Sequence, residues 1–172
     1  GRRGTGRTGC GVLVPRPRVH LTPTHGWLND PNGLVHDGER FHAFFQHHPD
    51  SLEWGPMHWG HATSTDLIAW DHQAELALAP GPLGMAFSGS AVIDRHDTAG
   101  FGAGAIVLVF THATESQQVQ SLAWSTDGIA FTEADDNPVL VAADGVPDFR
   151  DPKVLRWGGV DGHWVMVLAA GD

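Results

Sequence analysis

Ser64-Thr65-Asp66-Leu67-Ile68-Ala69-Trp70 returns 61 positions later as Ser125-Thr126-Asp127-Gly128-Ile129-Ala130-Phe131. Each copy reads as a polar turn leading into a strand anchored by an aromatic side chain. A second pair lies about two such periods apart: Asp37-Gly38 ahead of Phe41 to Phe45, and Asp161-Gly162 ahead of Trp164 to Leu168, a shift of 124. Asp-Gly between apolar runs signals a tight hairpin, because glycine accepts the positive φ that the turn demands. The period spans about one four-stranded sheet with its loops, and sheets repeated in this way favour a β-propeller over a sandwich.

Around the repeats, short apolar runs dominate: Phe41 to Gln46, Met57 to Ser64, Phe87 to Ile93, Ala105 to Thr111, Val119 to Trp124, Val154 to Trp157 and Trp164 to Ala169. None sustains a helical period over three turns, and turn residues interrupt at short intervals, so the chain reads as nearly all strand. From His25 to Asp172 there is room for roughly two and a half units of the period. A propeller needs about four or more blades to close. The expected fold is therefore all-β, a partial propeller of about two and a half four-stranded antiparallel blades.

The 172 residues, 41% apolar and 17% charged, suit one globular domain. Residues 1–18 form a Gly- and Arg-rich arm, read as disordered, and residues 19–172 form the propeller part. Arg2, Arg3, Arg7, Arg16 and Arg18 all precede the first acidic residue, Asp30, which leaves the body strongly acidic and argues against nucleic acid as a partner. The arm has no apolar stretch long enough for a signal-peptide core or a membrane span. The lone Cys10 excludes an intrachain disulfide framework, and no Asn-x-Ser/Thr acceptor occurs. These features point to cytoplasmic residence without a membrane partner, while the oligomeric state leaves no mark on the sequence.

Chemistry first shows at the only two Asp-Pro dipeptides. One lies in Trp27-Leu28-Asn29-Asp30-Pro31-Asn32-Gly33, the other in Phe149-Arg150-Asp151-Pro152-Lys153. Proline drives the residue before it into an extended conformation, which would aim each carboxylate in a restricted direction. One Asp-Pro is enough to start a turn. Two, each wedged between aromatic and amide or guanidinium neighbours, point to a carboxylate-based active site.

These blocks, with His20-Leu21-Thr22-Pro23, Phe45-Gln46, Trp54-Gly55-Pro56-Met57-His58-Trp59-Gly60-His61-Ala62 and Phe87-Ser88-Gly89-Ser90, resemble glycoside hydrolase family 32, the β-fructosidases, in the family's own order. The likeness is greatest to the bacterial sucrose or sucrose-6-phosphate hydrolase type. It implies a five-bladed propeller backed by a β-sandwich, which these residues do not contain. It also implies that Asp30 is the nucleophile on a β-fructofuranosyl unit and that Asp151 holds sugar hydroxyls and stabilises the transition state. An attacking carboxylate must be ionised, and an oxocarbenium-like transition state gains from nearby negative charge. Arg150 would keep Asp151 ionised by proximity. Asn29 would donate to a fructosyl hydroxyl, and Gln46, Trp54, Phe87 and Ser88 match positions lining the sugar pocket, with Trp54 as an apolar wall.

A retaining glycosidase also needs a proton donor about 5–5.5 Å from the nucleophile. In the family this is a glutamate in a Glu-Cys motif after the Arg-Asp-Pro block, and neither Glu nor Cys occurs between Asp151 and Asp172. Glu39, Glu53, Glu75, Glu115 and Glu133 all precede the block. The expectation is an N-terminal piece of a fructosidase with negligible hydrolysis on its own. A fructosyltransferase using the same intermediate, a non-catalytic carbohydrate-binding module and a gene remnant stay open as alternatives. A retained nucleophile argues against a purpose-built binding module.

Other signals are weaker. His42, His47, His48, His58 and His61 invite a metal reading, yet His58 and His61 would point to opposite faces of a strand and no His-Glu-x-x-His occurs. Ser88 and Ser90 lack a Gly-x-Ser-x-Gly elbow. Gly100, Gly102 and Gly104 precede a strand rather than joining strand to helix, so they read as a loop and not as a dinucleotide site. No metal or cofactor is expected. Trp59, Trp70, Trp124, Trp157 and Trp164 sit where blade packing would use them.

Overall fold

The computed structural model describes Pro17 and residues 19–74, 76–159 and 161–171. The basic arm, apart from Pro17, and Cys10 within it lie outside the described residues. β1 (Trp27–His36), β2 (Phe41–His48), β3 (His58–Ser64) and β4 (Asp71–His72) form an antiparallel sheet in chain order. β5 (Met85–Asp94), β6 (Ala105–Ala113), β7 (Gln118–Ser125) and β8 (Thr132–Glu133) repeat that order, with β9 (Leu140–Val141) beside β8 on the outer edge of β7. β10 (Phe149–Trp157) and β11 (His163–Ala170) begin a third sheet. No helix occurs among the described residues. The architecture is that of an unclosed β-propeller: two full blades and the first hairpin of another.

The repeated heptads build the same turn twice. Ser64 Oγ accepts the Leu67 N–H at 2.8 Å, and Asp66 Oδ1 accepts the N–H groups of Ile68 and Ala69, each at 2.8 Å. In the second blade Ser125 Oγ accepts from Gly128 at 2.9 Å, and Asp127 Oδ1 accepts from Ile129 and Ala130 at 2.9 and 3.0 Å. The fourth residue stands at φ 63° in Leu67 and 70° in Gly128. Glycine holds that conformation without strain, whereas leucine does not. The Asp-Gly pairs do join hairpins, β1 to β2 and β10 to β11.

The blades are joined by apolar faces. Phe44 and Trp59 of the first blade pack on Ile106, Leu108 and Phe110 of the second, and all of these are almost fully buried. The heptad's terminal aromatic, Phe131, closes the joint by meeting Phe44 edge-on, with ring centroids 5.4 Å apart. Every residue of β6 is buried, because Val107 and Val109 turn the other way, toward Val154, Trp164 and Met166 of the third sheet. His61 also enters the joint, stacked on Phe44 at 4.3 Å. His58, three residues earlier, is only half-buried and hydrogen-bonds the Pro56 carbonyl.

Four of the five tryptophans expected in blade packing are at least partly sheltered: Trp59 is fully buried, Trp124 stacks on Phe101 with centroids 5.4 Å apart, and Trp70 and Trp164 are half-buried. Trp157 is the exception at 66% exposed, because it ends β10 where the chain turns into the Gly158-Gly159 corner.

Candidate active site

β1, β5 and β10 are the inner strands of the three sheets; β1 lies against β5, and β5 against β10. Each breaks register with its partner at a corresponding place. The breaks fall between Asn29 and Pro31 against β2, between Phe87 and Gly89 against β6, and between Arg150 and Lys153 against β11. A bulge leaves a residue outside the ladder and re-aims its side chain. The residues left out are Asp30, Ser88 and the Asp151-Pro152 pair.

The extended conformation expected ahead of each proline is not what the structure adopts: φ is 40° at Asp30 and 59° at Asp151. Aspartate is among the few residues that tolerate this region, and the surroundings hold it there. Asn32 Nδ2 donates to the Asp30 carbonyl at 3.0 Å, and the Asp151 N–H donates to Thr111 Oγ1 at 3.2 Å. Such backbone strain persists only where neighbouring structure over-determines it. At the middle bulge, Gly89 follows Ser88 because a Cβ there would stand 2.1 Å from the Val109 carbonyl oxygen.

Asn29, Asp30, Gln46, Trp54, Phe87, Ser88, Arg150 and Asp151 together line one hollow of about 150 Å³. The structure thus brings all eight residues singled out from the sequence to one place. Ser88 Oγ lies 3.4 Å from Asp30 Oδ2 and can donate to it. The indole N–H of Trp27 donates to Asn29 Oδ1 at 2.6 Å. Indole is a donor only, so the Asn29 amide must face it with oxygen and turn its NH₂ group to the hollow. Gln46 is buried and donates to the Ala86 carbonyl at 2.9 Å, tying the first blade to the second. Trp54 is 54% exposed, and its ring meets Phe87 edge-on at 6.3 Å.

Arg150 acts on Asp151 in the expected direction but is outweighed. Its guanidinium is engaged by Asp148, while Nε stands 3.7 Å from Asp151 Oδ2. Partial burial pushes the Asp151 carboxyl above the usual carboxylate range, Arg150 pulls it down, and the charge of Asp30 pushes it up again. The net direction is upward. A carboxyl whose ionisation is made costlier by burial and by a second carboxylate in the same hollow fits acid-base and nucleophilic chemistry.

Residues 20–172 match the family model described as glycosyl hydrolases family 32 N-terminal domain. This chain belongs to glycosyl hydrolase family 32. The family 32 chain is 50% identical over 161 residues to a levanase of Bacillus subtilis, covering 91% of itself and 23% of that protein. It is 44% identical over 165 residues to a sucrose-6-phosphate hydrolase of Escherichia coli, covering 89% of itself and 32% of the relative. Among solved structures it superposes on a β-fructofuranosidase from Schwanniomyces occidentalis complexed with fructosyl-erythritol, with a TM-score of 0.81 at 40% identity; the match covers 89% of this chain and 31% of the other. A Bombyx mori family 32 β-fructofuranosidase variant in complex with sucrose gives 0.78 at 38% identity, covering 91% and 32%. The chain therefore spans a quarter to a third of the length of these relatives.

Sequence reading missed the residues that hold the wall of the hollow. Trp54 rides on the nine-residue loop between β2 and β3. His48 Nδ1 bonds the Glu53 carbonyl at 3.0 Å and His58 Nδ1 bonds the Pro56 carbonyl at 2.9 Å, one on each side of Trp54-Gly55. A carbonyl only accepts, so both imidazoles carry hydrogen on Nδ1. Gly55 lies so close on the His48 ring that an added Cβ would stand 2.5 Å from it. Two histidines at the ends of a hairpin loop were the available signal. His48→Ala is expected to loosen the Trp54 loop by the loss of one hydrogen bond with its packing, worth about 1 kcal/mol. Amide hydrogen exchange across residues 49–57 checks it; unaltered exchange would remove His48 from the wall.

Proposed function

We propose that this chain supplies the fructosyl-binding part of a β-fructofuranosidase-type glycosidase acting on terminal β-D-fructofuranosides such as sucrose or sucrose 6-phosphate. The observation that carries the reading is the convergence of Asp30 and Asp151, from two different blades, on one sugar-sized hollow. Asp30 attacks the anomeric carbon, the glycosidic bond breaks toward the leaving oxygen, and a fructosyl ester forms on Asp30. Water then displaces the ester with a second inversion, so configuration is retained. Ser88 orients the attacking oxygen, Asn29 and Gln46 bind hydroxyls, and Trp54 and Phe87 form the apolar wall. Asp151 stabilises the positive charge of the transition state and accepts hydrogen bonds from the sugar.

No glutamate lines the hollow among the described residues, so the proton for the leaving oxygen comes from further blades in this reading. Loss of a general acid usually lowers the rate by about 10²–10⁴. The 172-residue chain alone is expected to bind fructose weakly and to release negligible fructose from sucrose, and a polypeptide supplying the remaining blades is expected to restore release. Incubation with sucrose and detection of free fructose reads both. Hydrolysis by the isolated chain at rates near those of complete fructosidases would overturn the division of labour, and no hydrolysis by the completed propeller would overturn the assignment.

A further inference from the structure

We infer that Thr111 and Gln120 form a buried bracket that positions Asp151 for the chemistry proposed above. Thr111 on β6 and Gln120 on β7 are cross-strand neighbours, and both are 0% exposed. Polar groups so deeply buried are tolerated only when their hydrogen bonds are made. Here the bonds run in one direction across two sheets. The Thr111 hydroxyl donates to Gln120 Oε1 at 2.9 Å, and Gln120 Nε2 donates to the Phe149 carbonyl at 2.6 Å. With its single hydrogen committed, Thr111 Oγ1 meets the Asp151 N–H with a lone pair, at 3.2 Å. The bracket thus grips β10 at Phe149 and at Asp151, astride the residue where register with β11 begins to slip. Gln118 Oε1 adds a fourth contact by accepting the Phe149 N–H at 2.7 Å.

The bracket touches neither the hollow nor its sugar; Thr111 and Gln120 are positioning residues. Their effect is to hold Asp151 in the left-handed region, at φ 59°, which aspartate tolerates but L-residues seldom occupy. Without the grip the backbone relaxes and the carboxylate swings away from Asp30 toward solvent. The sequence carries the trace, in that Thr111 ends an otherwise apolar run and Gln118 and Gln120 alternate with Val119 in a strand whose neighbours are buried.

The test replaces Thr111 by valine, which keeps its shape and removes the hydroxyl, and by serine, which keeps the hydroxyl. The readout is the Asp151 carboxyl titration followed by carbon NMR in the full 172-residue chain. Thr111→Val is expected to bring the midpoint down toward the ordinary carboxylate range, because the group leaves both its partial burial and the field of Asp30. Thr111→Ser is expected to leave it near the parent value. An unmoved midpoint in a folded Thr111→Val chain, or equal shifts in both variants, would overturn the proposal. If Thr111→Val does not fold, Gln120→Met carries the same test with the same expected fall. The titration involves no sugar, so its failure is separate from failure of the fructosidase reading, which absence of hydrolysis by the completed propeller would reveal.

Discussion

Asp30→Asn is expected to lower fructose release from sucrose by on the order of 10⁴-fold or more in a polypeptide carrying the remaining blades, as removal of a covalent nucleophile does. The amide is close in shape to the carboxylate and tolerates the same left-handed backbone, so the bulge and the Asn32 bond to the residue 30 carbonyl survive. What disappears is the negative oxygen 3.4 Å from Ser88 Oγ. A second effect follows at a distance. The charge of Asp30 helps to raise the Asp151 carboxyl, so the variant lowers the Asp151 midpoint toward the ordinary carboxylate range. An unchanged melting temperature with collapsed turnover and a lowered Asp151 midpoint is the expected combination. Turnover within tenfold of the parent would show that another group attacks the sugar.

Acid is expected to destabilise the chain steeply through the histidines in the joint between the first two blades. Asp37 Oδ2 stands 3.0 Å from His42 Nε2, and His42 Nδ1 stands 3.0 Å from His61 Nε2. A carboxylate only accepts, so His42 carries hydrogen on Nε2 and its Nδ1 accepts from His61. His61 Nδ1 is then buried with no partner. Burial, and next the neighbouring His42 ring, pull the His61 titration from its ordinary 6.5 down to about 3. Between those values the unfolded chain binds the proton and the folded chain does not, so stability falls as pH falls, by about 1.4 kcal/mol per unit at most. His112, also buried, is shifted downward and acts with the same sign. Asp37, held well below the usual range despite partial burial by the Arg40 and Glu39 N–H groups and by His42, adds stability above the unfolded carboxylate value that is lost in stronger acid. Melting temperatures measured from pH 7 to pH 3 should fall throughout, and His61→Phe, which keeps the stack on Phe44, should flatten the slope. A level profile between pH 6 and pH 4 would contradict the account.

The repeats were legible because a turn built from side-chain hydrogen bonds needs Ser, Asp and an adaptable fourth residue in fixed order, and that order survives in Ser64–Trp70 and Ser125–Phe131. The seven apolar runs all fall within strands but for the edge residue Met57. β1 was not legible. Its Asn29, Asp30, Pro31, Asn32 and Gly33 are turn formers by local preference, and only pairing with β2 makes them a strand. The first half of β10 was hidden for the same reason at Asp151-Pro152. The gathering of the site residues was visible as a set of motifs. The left-handed backbone at both aspartates was not, since it is imposed by Asn32 and by Thr111 from β6, a contact across 40 positions. That Arg150 is outweighed at Asp151 was not legible, because burial of that carboxyl and the engagement of Arg150 by Asp148 are set only by the fold.

The bulges on β1, β5 and β10 separate two demands that one strand would otherwise have to meet together. Residues in the ladder answer to the sheet; the residue set aside from it answers to the guest molecule. A substitution at Ser88 therefore alters the hollow with little penalty to the ladder, whereas a replacement for Asp30 or Asp151 must also tolerate the left-handed backbone.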